Sequence, residues 1–109
     1  MQKQDYIDRR IFARIPIKVS LRLLCPHTDK ESRAQTSDIS AKGIGLVVEE
    51  KLQPLTPIEM WLQMPNQDQP YYARGEVVWS EPTESNKYRV GINLERADLM
   101  GMSQVLRRI

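Results

Sequence analysis

The chain has 109 residues, of which 40% are hydrophobic and 28% charged, and its formal net charge is +2. This length suits one domain over residues 1–109, and the composition is ordinary for a soluble globular protein. No apolar run is long enough to span a membrane, and no secretory signal stands at the start, so we expect no membrane insertion and a cytoplasmic location. The single Cys25 cannot form an internal disulfide, which agrees with a reducing compartment.

The first half of the chain predicts a polar arm followed by strands. Residues 1–8 lack periodicity, which indicates a flexible N-terminal arm. From Ile15 to Leu23 apolar and polar residues alternate, which is the period of a half-buried strand. A second, shorter strand is predicted over 33–37, and a loop over 38–42 leads to a third strand over 43–48.

Alternation continues in the second half and predicts three more strands, over 58–64, 71–80 and 88–94. In the fifth strand Trp79 falls in phase with Val77, so we expect it either in the core or beside a ligand at the barrel mouth. Trp61 falls out of phase with its apolar neighbours, which indicates an exposed position.

After Leu94 the hydrophobic period changes. Apolar residues recur every three or four positions, which predicts a short amphipathic helix over 98–108. Six short strands separated by turns favour a small closed sheet. The predicted fold is therefore mainly all-β, a six-stranded antiparallel β-barrel with a short C-terminal α-helix.

The basic residues are concentrated near the N-terminus. Residues 1–24 contain six basic and two acidic residues, which leaves +4 against +2 for the whole chain. Arg9, Arg10 and Arg14 lie within six residues of one another. Arg can form paired hydrogen bonds with phosphate and with the acceptor edge of guanine. The cluster therefore predicts an anion site, with solvated surface charges as the alternative.

A second polar cluster, Asp38-Ile-Ser40-Ala-Lys-Gly43, follows about two dozen residues later. The carboxylate can accept hydrogen bonds from the amino and imino groups of guanine, and the hydroxyl can donate to a phosphate or a base. The glycine lets the backbone pass close to a ligand or adopt a positive φ. The alternative is structural: Asp38 and Ser40 would cap a turn, and Gly43 would form a bulge.

Together the two clusters resemble the signatures of the PilZ domain, RxxxR and (D/N)xSxxG, and the stretches 75–79 and 88–92 resemble its later strands. The resemblance covers residue 8 to the C-terminus. It implies a receptor for cyclic di-GMP that changes conformation and signals to an unidentified protein partner. It places the ligand on Arg9, Arg10, Arg14, Asp38, Ser40 and Gly43, and Trp79 is the further candidate, as a residue that could border a guanine. An Arg immediately before RxxxR, here Arg9, implies a stacked pair of ligands on each chain.

The sequence does not predict an enzyme or a resident cofactor. One His and one Cys cannot form a metal cluster, and no nucleophile–base–acid set can be assembled. One alternative function is a small barrel that binds single-stranded nucleic acid, with Trp61, Tyr71 or Tyr72 as stacking platforms. The seven aromatic residues do not interleave with the basic ones, so we expect no nucleic acid.

The other alternative is a nucleotide-free interaction module of pilus or motility machinery. Family members that lack the motif arginines behave in that way, by resemblance, whereas this chain keeps its arginines. We expect a monomer or a weak homodimer.

Overall fold

The structure is a computed structural model that describes residues 14–40, 42–65 and 67–95. These residues form six strands: β1 Ser20–Cys25, β2 Lys30–Ile39, β3 Gly43–Val48, β4 Pro57–Leu62, β5 Tyr71–Pro82 and β6 Tyr88–Leu94. All pairings are antiparallel, and the order β1-β2-β3-β6-β5-β4 closes into a barrel. The predicted six-stranded antiparallel barrel is confirmed. The predicted arm over 1–8 and helix over 98–108 lie outside the described residues.

The barrel interior is filled by apolar side chains. Successive residues of a strand point to opposite faces, so every second residue faces inward. The inward positions include Leu21, Leu23, Ile44, Leu46, Met60, Leu62, Val77 and Val90, all buried. A six-stranded barrel is narrow enough for side chains to fill it. The outward-facing residues are therefore the ones available to a ligand. In the described ranges no helix has the length and apolar character needed to cross a bilayer.

The first strand begins later than its alternating pattern predicted. Regular pairing starts at Ser20, and upstream only an isolated bridge joins Ile15 to Ile39. Pro16 follows this bridge and has no N–H to donate, so the ladder is interrupted there. Ile15 and Ile17 nevertheless pack against the core, as their alternation suggested.

The second strand is longer than predicted and extends over Lys30–Ile39. Asp38, which we expected on a loop over 38–42, therefore lies within β2. The polar residues of this segment misled the prediction. An antiparallel strand with one solvated face carries polar residues there without leaving the sheet.

Two bulges alter the outward face of the barrel. The pairing register shifts between Thr36 and Asp38 in β2, and between Val77 and Trp79 in β5. A bulge inserts one extra residue and so reverses the inward–outward phase beyond it. Val77 is fully buried inside the barrel, whereas Trp79 is half-buried on the outer face. The expectation that these two side chains share a face was wrong for this reason.

Candidate functional site

Four neighbouring strands place one row of residues on the outside of the barrel. Across β2, β3, β6 and β5 the directly paired residues are Asp38, Gly45, Gly91 and Trp79. Directly opposite residues share one face of a sheet. We call these four residues the outer row. A carboxylate stands at one end of the row and an indole at the other, and both ends follow a bulge.

The two glycines in the middle of the outer row carry no side chain, and neighbouring side chains occupy the space above them. A Cβ atom at Gly45 would stand 2.6 Å from Ser37 Oγ and 3.0 Å from Asp38 Oδ1. A Cβ atom at Gly91 would overlap the indole of Trp79, which lies across that glycine. Both glycines are buried, because Ser37 and Asp38 fill the space over Gly45 and the indole of Trp79 fills the space over Gly91.

Asp38 connects the two polar clusters of the sequence. Arg14 Nη1 donates a hydrogen bond to Asp38 Oδ1 at 2.7 Å. The Arg14 side chain is 61% exposed, whereas that of Asp38 is only 16% exposed. The carboxylate is thus held within the surface and the guanidinium lies over it. This contact brings the end of the basic cluster directly onto the outer row.

Ser40 and Gly43 form the connection between β2 and β3. Ser40 N donates to Gly43 O at 2.9 Å, and Gly43 N donates to Ser40 Oγ at 3.2 Å. Ser40 is only 6% exposed. The hydroxyl is therefore used to close the turn, as in the structural alternative that the sequence left open.

Gly43 is required by packing. A Cβ atom there would stand 2.5 Å from the carbonyl oxygen of Ile92 on β6. No described glycine has a positive φ, so the conformational reason proposed from the sequence does not apply. The glycine allows β3 and β6 to approach and so fixes the turn beside Asp38.

Trp79 has a cationic neighbour that the sequence did not single out. The guanidinium carbon of Arg89 on β6 lies 5.9 Å from the centroid of the Trp79 ring. Arg89 is two residues before Gly91 and hence on the same face. Arg89 Nη1 also forms an ion pair with Glu81 Oε1 at 3.8 Å. The indole end of the outer row therefore combines an aromatic ring with an Arg–Glu ion pair.

The structure brings together part of the predicted site. Arg14 contacts Asp38, Ser40 and Gly43 form the adjoining turn, and Trp79 stands at the far end of the outer row. Arg9 and Arg10 lie outside the described residues. Sequence reasoning missed Gly45, Gly91 and Arg89, because strand register decides their position. Only Gly45 had a signal in the sequence, because it follows Gly43 at the two-residue spacing of one strand face.

Cys25 lies away from this site, at the end of β1, and is half-buried. Burial raises the pKa of its thiol; Lys30 lowers it and Glu50 raises it by smaller amounts. The thiol is therefore protonated at neutral pH. This agrees with a packing role rather than a nucleophilic one.

The chain matches the family model of the PilZ domain over residues 8–109, and it belongs to this family. The resemblance noted in the sequence is thereby confirmed. Among curated proteins, none matches the chain.

Solved structures of PilZ domains share the fold. The PilZ domain with c-di-GMP of YcgR from Escherichia coli has a TM-score of 0.67 and 16% identity, over 93% of this chain and 88% of that one. The PilZ domain of CeSA from a cellulose-synthesizing bacterium has a TM-score of 0.62 and 14% identity, over 87% and 91%.

A longer protein is also similar. The inhibitor of motility MotI/DgrA from Bacillus subtilis has a TM-score of 0.66 and 17% identity, over 87% of this chain and 48% of that one. The present chain thus spans about half the length of that protein. At these identities the likeness concerns the fold alone.

Proposed function

We propose that this PilZ domain is a receptor for cyclic di-GMP that binds its ligand on the outer row and signals to a partner protein. The contact between Arg14 and Asp38 carries the proposal, because it joins the two family signatures at one place on the barrel. The PilZ domain of Escherichia coli YcgR, which has the same fold, was solved with c-di-GMP. Receptor modules of this kind recognise a ligand without transforming it, so we propose no enzymatic activity.

Each end of the outer row suits a different part of the ligand. The carboxylate of Asp38 can accept hydrogen bonds from the amino and imino groups of a guanine. Arg14, together with Arg9 and Arg10, supplies guanidinium groups for the phosphates and for the guanine acceptor edge. Trp79 offers an aromatic surface beside a base. Gly45 carries no side chain and so leaves room for the Asp38 carboxylate in this position.

In the free protein Arg14 and Asp38, one from each family signature, form an ion pair with each other. Arg14 occupies Asp38 Oδ1, an acceptor that a guanine would need. Binding would then exchange partners: guanine takes the place of the guanidinium on Asp38, and the guanidinium turns to a phosphate. An exposed ion pair contributes at most about 1 kcal/mol, so losing it costs little beside the charge-assisted hydrogen bonds that the ligand would form.

The nucleic-acid alternative finds less support. Trp61 is half-buried rather than exposed, with the Arg22 guanidinium carbon 4.5 Å above its ring centroid and the Tyr72 centroid 5.2 Å away. The Tyr72 hydroxyl donates to Glu59 Oε1. These rings are engaged with one another and lie beside a carboxylate, which would repel a phosphate backbone.

Isothermal titration calorimetry can test the proposal directly. The intact chain would be titrated with cyclic di-GMP, with GTP and with a short single-stranded oligonucleotide. We expect heat of binding with cyclic di-GMP and none with the other two. Binding of the oligonucleotide alone would support the barrel that binds nucleic acid, and no binding of any of the three would support the nucleotide-free interaction module.

The partner is proposed by class only. One of the similar structures is a Bacillus subtilis inhibitor of motility, and this favours a partner in motility machinery. We also propose that residues 1–109 act as a single domain in the cytoplasm.

A further inference from the structure

The residues that carry Arg14 into the site are tied to β2 by an unusual set of hydrogen bonds. We call residues 14–19 the lead-in segment. At one end Ile15 N donates to Ile39 O at 2.8 Å, and Ile39 N donates to Ile15 O at 2.9 Å. At the other end Thr36 N donates to Val19 O at 2.9 Å. The backbone thus pairs with β2 at both ends of the lead-in segment.

Between these ends the two backbones do not match in length. The lead-in segment has three residues there, 16–18, while β2 has two, 37–38. The first of the three is Pro16, which has no N–H. The extra residue and the missing N–H interrupt regular pairing here, and the carbonyl of Ile17 and the amide of Val19 bond to other partners.

The side chain of Thr36 supplies both partners. Its hydroxyl accepts from Val19 N at 2.8 Å and donates to Ile17 O at 2.5 Å. Thr36 is 1% exposed and faces inward, so it cannot touch a ligand on the outer row. One buried hydroxyl bridges the mismatch and holds the lead-in segment against the strand that carries Asp38.

We propose that Thr36 is a positioning residue for the ligand site. Its hydroxyl fixes the register of the lead-in segment on β2, and this register places Arg14 over Asp38. The inference rests on the proposed function, since the arginine motif must meet the Asp38 cluster for cyclic di-GMP to bind. Without the hydroxyl, the Ile17 carbonyl and the Val19 amide lose their partners, and burying them unpaired is unfavourable. The lead-in segment then leaves β2 more often.

The test separates the effect of the Thr36 hydroxyl from the effect of the side-chain shape. Thr36→Val keeps the shape and removes the hydroxyl, while Thr36→Ser keeps the hydroxyl. Ile58→Val, a mild core change on β4, is the control for general destabilisation. Affinity for cyclic di-GMP is measured by calorimetry well below every unfolding temperature, and hydrogen exchange is followed at the amides of Ile15 and Val19.

We expect Thr36→Val to weaken binding by about tenfold or more, since apparent affinity falls with the fraction of molecules in the competent state. Its Ile15 and Val19 amides should exchange faster, while amides of β5 and β6 keep their wild-type protection. Thr36→Ser should restore affinity, and Ile58→Val should bind as the wild type does. Should Thr36→Val fail to fold, Thr36→Cys, with a weaker donor of similar size, should show an intermediate loss.

Two outcomes would overturn the inference alone. One is wild-type affinity in Thr36→Val while the wild type binds normally. The other is an equal loss of affinity in Thr36→Val and Ile58→Val, which would mean general destabilisation. If the wild type itself does not bind cyclic di-GMP, the proposed function is wrong and the inference falls with it.

Discussion

Arg14 and Asp38 lie 24 positions apart in the sequence, and the barrel brings their side chains within hydrogen-bond distance. A strand is a rigid support for Asp38, whereas the exposed Arg14 lies at the start of the lead-in segment, just before the backbone bonds between Ile15 and Ile39. The least exposed charge in the site is therefore the one that would select the base. The exposed charge can turn from protein to ligand.

If the proposed function is correct, replacing the arginine should weaken ligand binding without unfolding the protein. We expect Arg14→Ala to reduce the affinity for cyclic di-GMP by roughly 2–4 kcal/mol, the cost of truncating one partner of a desolvated charge pair. Calorimetry measures this loss. Arg33→Ala is a matched control, because Arg33 is exposed on β2 and its side chain has no hydrogen bond or ion pair with any described residue. Equal affinity in both variants would contradict the site assignment.

Asp38 should determine selectivity for the base. We expect Asp38→Ala to lose discrimination between cyclic di-GMP and an inosine-containing analogue, because inosine lacks the amino group that a carboxylate would accept from. In the wild type the analogue should bind more weakly than cyclic di-GMP. If the wild type binds the two ligands equally, Asp38 does not contact that edge of guanine.

Gly45 should be as intolerant of change as the signature residues, for a steric reason. A methyl group at this position would lie within 3.0 Å of Asp38 Oδ1 and closer to Ser37 Oγ, so the carboxylate must shift. We expect Gly45→Ala to weaken binding by roughly 1.5–3 kcal/mol, comparable to one hydrogen bond to a charged group. Val47→Ala, two residues along β3, is the control. Thermal unfolding should show both variants folded at the titration temperature.

At the level of elements, the strands were predictable and their phases were not. Period-two alternation marks a strand wherever one face is buried, and it indicated β1, β4, β5 and β6. The other two strands were also predicted, although β2 is longer than expected. A bulge adds one residue without a distinctive local sequence, so nothing around Val78 revealed that Trp79 would turn outward. Register between strands is set by pairing between residues far apart in the sequence, so the pairing of Gly45 with Gly91 could not be predicted either.

The site was predictable to the extent that it depends on local motifs. The spacing of Asp38, Ser40 and Gly43 identified the β2–β3 connection, although the structure uses Ser40 and Gly43 to build the turn. Thr36 gave no signal, because a buried threonine in a strand is common. Its role appears only when the lead-in segment is placed beside it.

The N-terminal arm carries the remaining element-scale prediction. The sequence of residues 1–14 is polar, carries several like charges and lacks apolar periodicity, which predicts an arm that is disordered without ligand and wraps over it on binding. Because Arg14 is paired with Asp38, we limit this prediction to residues 1–13. Ordering costs about 1 kcal/mol or more per residue, which the charged contacts must exceed. Hydrogen exchange should show new protection over 7–13 with cyclic di-GMP, while amides of the strands stay unchanged. Protection of the arm in the free protein would falsify this prediction.

For the whole molecule, the remaining question is how many ligands one barrel holds. The family resemblance gives Arg9 a role in stacking a second ligand on the first. We expect titration to saturate at two cyclic di-GMP per chain and Arg9→Leu to shift this ratio toward one. Arg33→Ala should leave the ratio unchanged. Saturation of the wild type at one equivalent would contradict the prediction.

The filled interior of the barrel has a consequence for signalling. A ligand that cannot enter must bind on the outside, and one side of it then remains uncovered by the strands. A partner protein that docks there would contact the nucleotide and the polypeptide together, so cyclic di-GMP would form part of the binding surface. By thermodynamic linkage, such a partner must raise the affinity for cyclic di-GMP by the same factor by which cyclic di-GMP raises the affinity for the partner. The sensitivity of the proposed receptor in a cell would then depend on the concentration of such a partner.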